Sequence, residues 1–248
     1  WPLCEGGLVP TMEGDTAIEF GHRLYAGVTM LVVAGSAWFA YQGRGSDALT
    51  AKLIVGAFAA IFAQAILGGI TVLTELHGMV RLAHLTFAML TLALLVSGAL
   101  RALSIGGTSL PSVPRSIIAT GLTGFVVLAG GSIVGTGESA GCPGLPLCDS
   151  RSSMEAVGLH TVHRVAATLL VLKLLWTAWQ VNTRGGAGVA LYLALAAAVV
   201  ATAQFTVGVS AIVFDLPEAL RILHLGLAAT LWTLVVAQLT LVLKGNAQ

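Results

Sequence analysis

Seven apolar stretches, each long enough to cross a bilayer, dominate this chain: approximately residues 20–41, 52–73, 79–100, 115–137, 157–181, 187–213 and 218–243. A helix needs roughly 20 apolar residues to span the hydrocarbon core. Inside that core every backbone polar group must be satisfied internally, which leaves only helices and closed barrels. The runs are continuous and lack strict alternation, so barrel strands are excluded. Charged residues make up 9% of the 248-residue sequence and hydrophobic ones 56%, at a mean hydropathy of +0.92. The fold class expected is therefore all-α and membrane-embedded. The 30 glycines suit close helix packing, for example at Gly121–Gly124 and Gly130–Gly131. The net charge of +1 and the lack of a basic patch give no indication of nucleic acid.

Charge placement predicts the orientation. Arg44, Lys52, Arg101, Arg115 and Arg184 fall in loops after the odd-numbered spans, and Lys244 in the tail. The other side carries Glu5, Glu13, Asp15, Glu19, Glu75, Glu138, Asp149, Glu155, Asp215 and Glu218, leaving only Asp47 among the basic residues. The positive-inside rule puts the basic side and the C-terminus in the cytoplasm. Trp38, Trp176, Trp179 and Trp232 fall toward the cytoplasmic ends, where interfacial anchors belong. Arg23, Arg81, Arg164 and Arg221 depart from this division and flank four histidines.

Those histidines belong to a duplication. His22-Arg23 recurs as His163-Arg164, 141 residues later, and Arg81-Leu-Ala-His84 recurs as Arg221-Ile-Leu-His224, 140 later. Gln64 recurs as Gln204, and Thr-Glu75-Leu76 is matched by Phe-Asp215-Leu216. Trp-Pro-Leu-Cys4 echoes Leu-Pro-Leu-Cys148 at an offset of 144. In the second copy a span at 115–137 precedes the cysteine loop. The comparison predicts an equivalent helix and a further cysteine ahead of Trp1. The expected architecture is seven visible spans of eight, in two four-helix bundles related by a pseudo-twofold axis. Their division is expected at 1–106, a half-bundle without its first helix, and 107–248, a four-helix bundle.

Polar rings in hydrocarbon are costly and mark function. All four histidines fall near the outer ends of their spans, at one depth. Ligation of a haem iron from both faces needs two neutral imidazoles on facing helices. His22 with His84, and His163 with His224, supply one pair per half. Arg23, Arg81, Arg164 and Arg221 are suited to pair with haem propionates. The alternatives are histidines hydrogen-bonded between helices, or a bare metal, which would more usually bring carboxylates or thiolates.

Glu19 precedes His22 by three residues, on the same face if the helix already runs there. The second copy has His160 at that place. One half therefore carries a carboxylate beside its histidine, as expected where one site does chemistry and the other only holds a cofactor. A helix-start acid favoured by the dipole is the plainer explanation. Cys142 and Cys148 lie in a short loop on the oxidising side, where a disulfide is expected. It is either a staple or a pair that exchanges with a partner thiol. His77 is expected to be solvated, and His160 to be a supporting group or spare ligand.

At Ile-Glu19-Phe-Gly-His22-Arg23, at Cys142-Pro-Gly-Leu-Pro-Leu-Cys148 and in the four-histidine layout, the chain resembles the haem A synthase family over essentially its whole length. The resemblance implies an eight-helix enzyme of a bacterial plasma membrane or mitochondrial inner membrane. Such an enzyme oxidises the C8 methyl of haem O to a formyl group, giving haem A for terminal oxidases. By the same resemblance His163 and His224 would ligate a resident haem b, and His22 and His84 would line the haem O site. Glu19 matches the family's essential carboxylate, Cys142 and Cys148 one outer cysteine pair, and Cys4 a member of the other. The partners implied are haem O synthase, terminal-oxidase assembly factors, a thiol–disulfide electron donor and the lipid bilayer, with a homo-oligomer left open. The competing reading is a two-haem b-type cytochrome that only transfers electrons. It would normally place its haems at two depths. A transporter built from repeats would predict broken helices at mid-membrane.

Overall fold

The computed structural model describes residues 14–43, 47–75, 77–103, 105–108 and 111–246, with 14 and 15 as backbone only. Cys4, Glu5, Glu13, Arg44 and Leu76 lie outside the described residues, as does the side chain of Asp15. Within them the chain is helical and strand-free: α1 (Gly14–Gln42), α2 (Ala48–Leu73), α3 (Gly78–Ala102), α4 (Val113–Gly135), α5 (Met154–Thr183), α6 (Gly188–Val213) and α7 (Glu218–Gly245), with one 3-10 turn at Glu138–Ala140. All seven helices are long and apolar enough to cross a membrane. The protein is an integral membrane protein.

Local chemistry explains the helix ends. The Asp47 carboxylate caps α2 by accepting from the Leu49 and Thr50 N–H groups, and the Ser153 hydroxyl caps α5 through the Ala156 N–H. α4 opens after Ser112 with Pro114 in its first turn, where a missing N–H is harmless. α5 stops at Gly185 (φ 73°), where the Gly186 N–H closes on the Val181 carbonyl and the Gly185 N–H on that of Asn182. α6 ends by the same device with Asp215 left-handed (φ 56°), its N–H on the Ile212 carbonyl and that of Leu216 on Ala211. At the matching place after α2, Glu75 is left-handed (φ 51°) and bonds the Val72 carbonyl. An acid at a left-handed corner, repeated 140 residues on, is the backbone counterpart of the duplicated sequence.

The chain divides into two compact units, Trp1–Ala99 and Leu100–Gln248. In the first, α1 packs on α2, and α3 reaches α2 through His84. In the second, α4 packs on α5, α5 on α6, α6 on α7, and α7 back on α4. That closes a ring of four antiparallel helices joined in sequence. Its core is built on small residues, Ala119, Ala166, Ala197 and Ala201, interleaved with Leu170 and Leu174. Alanines let backbones approach where no hydrophobic drive distinguishes protein from lipid.

Trp38, Trp176 and Trp179 are exposed, and Trp176 and Trp179 stack at 4.8 Å. Trp232 differs from the anchor expected: it sits half-way along α7 and packs against Gly124 and the core, because the glycine opens a slot for the indole. Lys173 is a cation outside the charge division drawn above. It lies within α5, and its Nζ donates to the Thr177 hydroxyl at 3.0 Å.

Candidate functional site

The four histidines occupy equivalent places on odd-numbered helices: His22 is the ninth residue of α1, His84 the seventh of α3, His163 the tenth of α5 and His224 the seventh of α7. At 1.5 Å per residue this is roughly 9–14 Å from each helix start. Within the first unit His22 and His84 are in electrostatic reach of each other, and within the second so are His163 and His224. The latter two come from α5 and α7, which face each other across the ring. Among the described residues no three His, Cys, Asp or Glu side chains cluster as a metal site. Each unit brings together a pair of imidazoles.

Three of the imidazoles rest on the backbone of a neighbouring helix. His84 Nδ1 lies 3.0 Å from the Gln64 carbonyl of α2, and His163 Nδ1 lies 3.1 Å from the Val126 carbonyl of α4. A carbonyl only accepts, so Nδ1 carries the proton and Nε2 keeps its lone pair. His224 faces the Gln204 carbonyl of α6 without closing a regular hydrogen bond at Nδ1. An N–H to a carbonyl behind the ring is the usual support of a metal-bound histidine, fixing tautomer and orientation.

The neighbours of the histidines differ between the units. α1 already runs as helix at Glu19, so Glu19, His22 and Arg23 share one face, and the Arg23 guanidinium bonds the Glu19 carboxylate. At the corresponding places in α5, both side chains hold backbone of the segment before that helix. His160 is buried and its Nε2 donates to the Glu138 carbonyl at 2.8 Å. Arg164 donates to the carbonyls of Cys142 (2.8 Å), Gly144 (2.8 Å) and Pro146 (3.0 Å). Three of its donors are thus engaged in the loop, not held open for a carboxylate ligand. Arg221 is exposed on α7, one turn before His224, and Arg81 precedes His84 in the same way on α3.

The loop held by Arg164 is closed by a disulfide between Cys142 and Cys148, with Cα atoms 4.8 Å apart. Cys142 is buried. His77 is exposed. Gly68, Gly130 and Gly208, of which only Gly130 stood out in the sequence and there for helix packing, lie against the rings of His84, His163 and His224. A signal existed, since Gly68 and Gly208 stand at the 140-residue offset.

By fold, the chain is an α-helical membrane protein whose second unit is a closed four-helix ring with a histidine pair, His163 and His224, on facing helices. A family model described as cytochrome oxidase assembly protein matches residues 9–236. The chain belongs to that family. It is 34% identical to a protein named heme A synthase from Symbiobacterium thermophilum, over 94% of this chain and 81% of that one. It is 28% identical to one of the same name from Shouchella clausii, over 100% and 87%. A third, from Halalkalibacterium halodurans, is 30% identical over 71% and 64%.

Proposed function

We propose that this chain is a haem A synthase, an oxidoreductase that converts the C8 methyl group of haem O to a formyl group, yielding haem A for terminal oxidases. The observation that carries the reading is the duplicated histidine pair with a carboxylate, Glu19, beside one copy alone; the name shared by its relatives supports it. The residues present fit a haem: paired imidazoles, of which His84 and His163 keep Nε2 available, bare glycine surface against three of the rings, and Arg81 and Arg221 one turn before His84 and His224. His163 and His224 would hold a resident haem b, with Arg221 at a propionate and Arg164 bracing the loop above. His22 and His84 would hold the haem O substrate, with Arg23 and Arg81 at its propionates.

When bound, a haem iron held by these histidines would supply the oxidation of the methyl carbon. Two successive hydroxylations, each a two-electron oxidation that inserts one oxygen atom and draws on an external oxidant, would give a geminal diol, and its loss of water needs a proton to leave one oxygen and reach the other. Glu19, one helical turn from His22, would make that transfer. Its bond to Arg23 orients the carboxylate. The same reading assigns the C-terminus to the cytoplasm of a bacterial cell and the disulfide loop to the outer side, where a thiol donor, haem O synthase or oxidase assembly factors would be met.

Extraction and chromatography of the bound haems tests the proposal. Cells that make haem O should yield protein with one stable haem b and a smaller amount of haem O or haem A. Two equivalents of permanent haem b and no conversion would instead identify an electron-transfer cytochrome.

A further inference from the structure

Gly68, Gly130 and Gly208 bear one common relation to a histidine. Each follows by four residues the carbonyl that a histidine faces: Gln64, Val126 and Gln204. In an α-helix the side chain at i+4 leans toward the N-terminus and covers the carbonyl of residue i. A glycine there leaves that carbonyl open from the side, although the helix's own N–H already uses one lone pair.

Contact distances show that the opening is filled by the rings. A Cβ built at Gly208 would stand 2.9 Å from His224 Cε1 and 3.4 Å from its Nδ1. At Gly130 the distances to His163 are 3.0 and 3.3 Å, and at Gly68 those to His84 are 3.3 and 3.8 Å. Other glycines on the same bundle have no such role: around Gly121 on α4 and Gly226 on α7 nothing lies within 4 Å. The motif occurs on three helices, and in two cases at repeat-related positions.

We infer that Gly68, Gly130 and Gly208 are positioning residues, each exposing one helix carbonyl against which a histidine ring seats, through an Nδ1 hydrogen bond for His84 and His163 and by ring contact for His224, so that Nε2 is presented to a haem iron. The inference rests on the haem-binding reading above. It assigns to three glycines the task of setting tautomer and ring plane, which packing alone would leave to chance.

The test uses purified holoprotein carrying Gly208→Ala or Gly130→Ala, with Gly121→Ala and Gly226→Ala as controls. Ferric low-spin EPR and haem content are read for each. The 208 and 130 variants should shift the low-spin g values and weaken haem retention by about tenfold or more, as support changes behind metal-bound histidines do. The controls should keep both. Gly68→Ala should leave the resident haem signal untouched, since Gly68 meets His84, which belongs to the other unit. Unshifted g values with full haem content in the 208 and 130 variants overturn the glycine role. Should those variants not accumulate, 15N NMR of histidine-labelled, ferrous wild-type protein decides. Protonated Nδ1 and iron-bound Nε2 on both ligands support the inference, and iron on Nδ1 or an unprotonated remote nitrogen overturns it. Wild-type protein that carries no haem overturns the underlying reading instead.

Discussion

The same two helix positions do different work in the two units. On α1 they are Glu19 and Arg23, bonded to each other beside His22. On α5 they are His160 and Arg164, and both turn to backbone carbonyls of the segment that carries the disulfide. One unit keeps a carboxylate next to its histidine, half-exposed at 47%. The other has converted the equivalent groups into braces for a loop and for the helix that bears His163. On the function proposed above, one site would be held rigid around a group that stays, while the other would offer a titratable group to a molecule that comes and goes.

Exchange of the histidines strikes hardest at that contrast. His163→Ala or His224→Ala should abolish resident haem b, measured by pyridine haemochrome on purified protein. His22→Ala or His84→Ala should leave haem b in place and abolish conversion of haem O. Equal loss of haem b from all four variants would break the comparison. Next in size is Glu19→Gln, which should keep haem b and lower conversion by about 10²–10⁴-fold, the range of positioned acid–base groups. Full activity in that variant removes Glu19 from the chemistry.

The arginines sharpen the contrast in stability. Arg164→Ala removes three charge-assisted bonds to loop carbonyls and should lower stability by about 2 kcal/mol, read as a lower melting temperature in detergent. Arg164→Lys should recover little of it, because an ammonium cannot span three carbonyls as a planar fork does. Arg23→Ala breaks an i,i+4 pair with Glu19, of a kind worth about 0.3–0.5 kcal/mol. If Arg23→Ala destabilises as much as Arg164→Ala, the two positions are equivalent after all. The smallest effects belong to the caps: Asp47→Ala in the first unit and Ser153→Ala in the second should each lower stability by about 1 kcal/mol, without altering haem content.

Much of the architecture was legible before any coordinates. All seven spans coincide with observed helices, since apolar length alone dictates a bilayer helix. The main differences are at the ends: α1 begins at Gly14 and α5 at Met154, ahead of the apolar runs, because polar first turns continue the helix. That extension is what places Glu19 on the face of His22. The cysteine pair was legible from its loop and is a disulfide. Arg164 was not. A sequence shows an arginine beside a histidine, but not that folding brings three carbonyls of a loop within 3.0 Å of its guanidinium. Lys173 was overlooked as well, because a lone cation within a long apolar run leaves no pattern; its Thr177 partner lies one turn on along the same helix.

By itself the sequence determined the class, the spans, the duplicated histidines and the single carboxylate that distinguishes the copies. Those follow from composition and spacing, which local backbone geometry translates directly into helices and faces. Only the tertiary structure decided what each histidine leans on. Carbonyls carry no signature in a sequence, since every residue has one. Which carbonyl is bare, and which ring meets it, depends on the register between helices such as α4 and α5. There the absence of a side chain at Gly130 becomes a seat for His163.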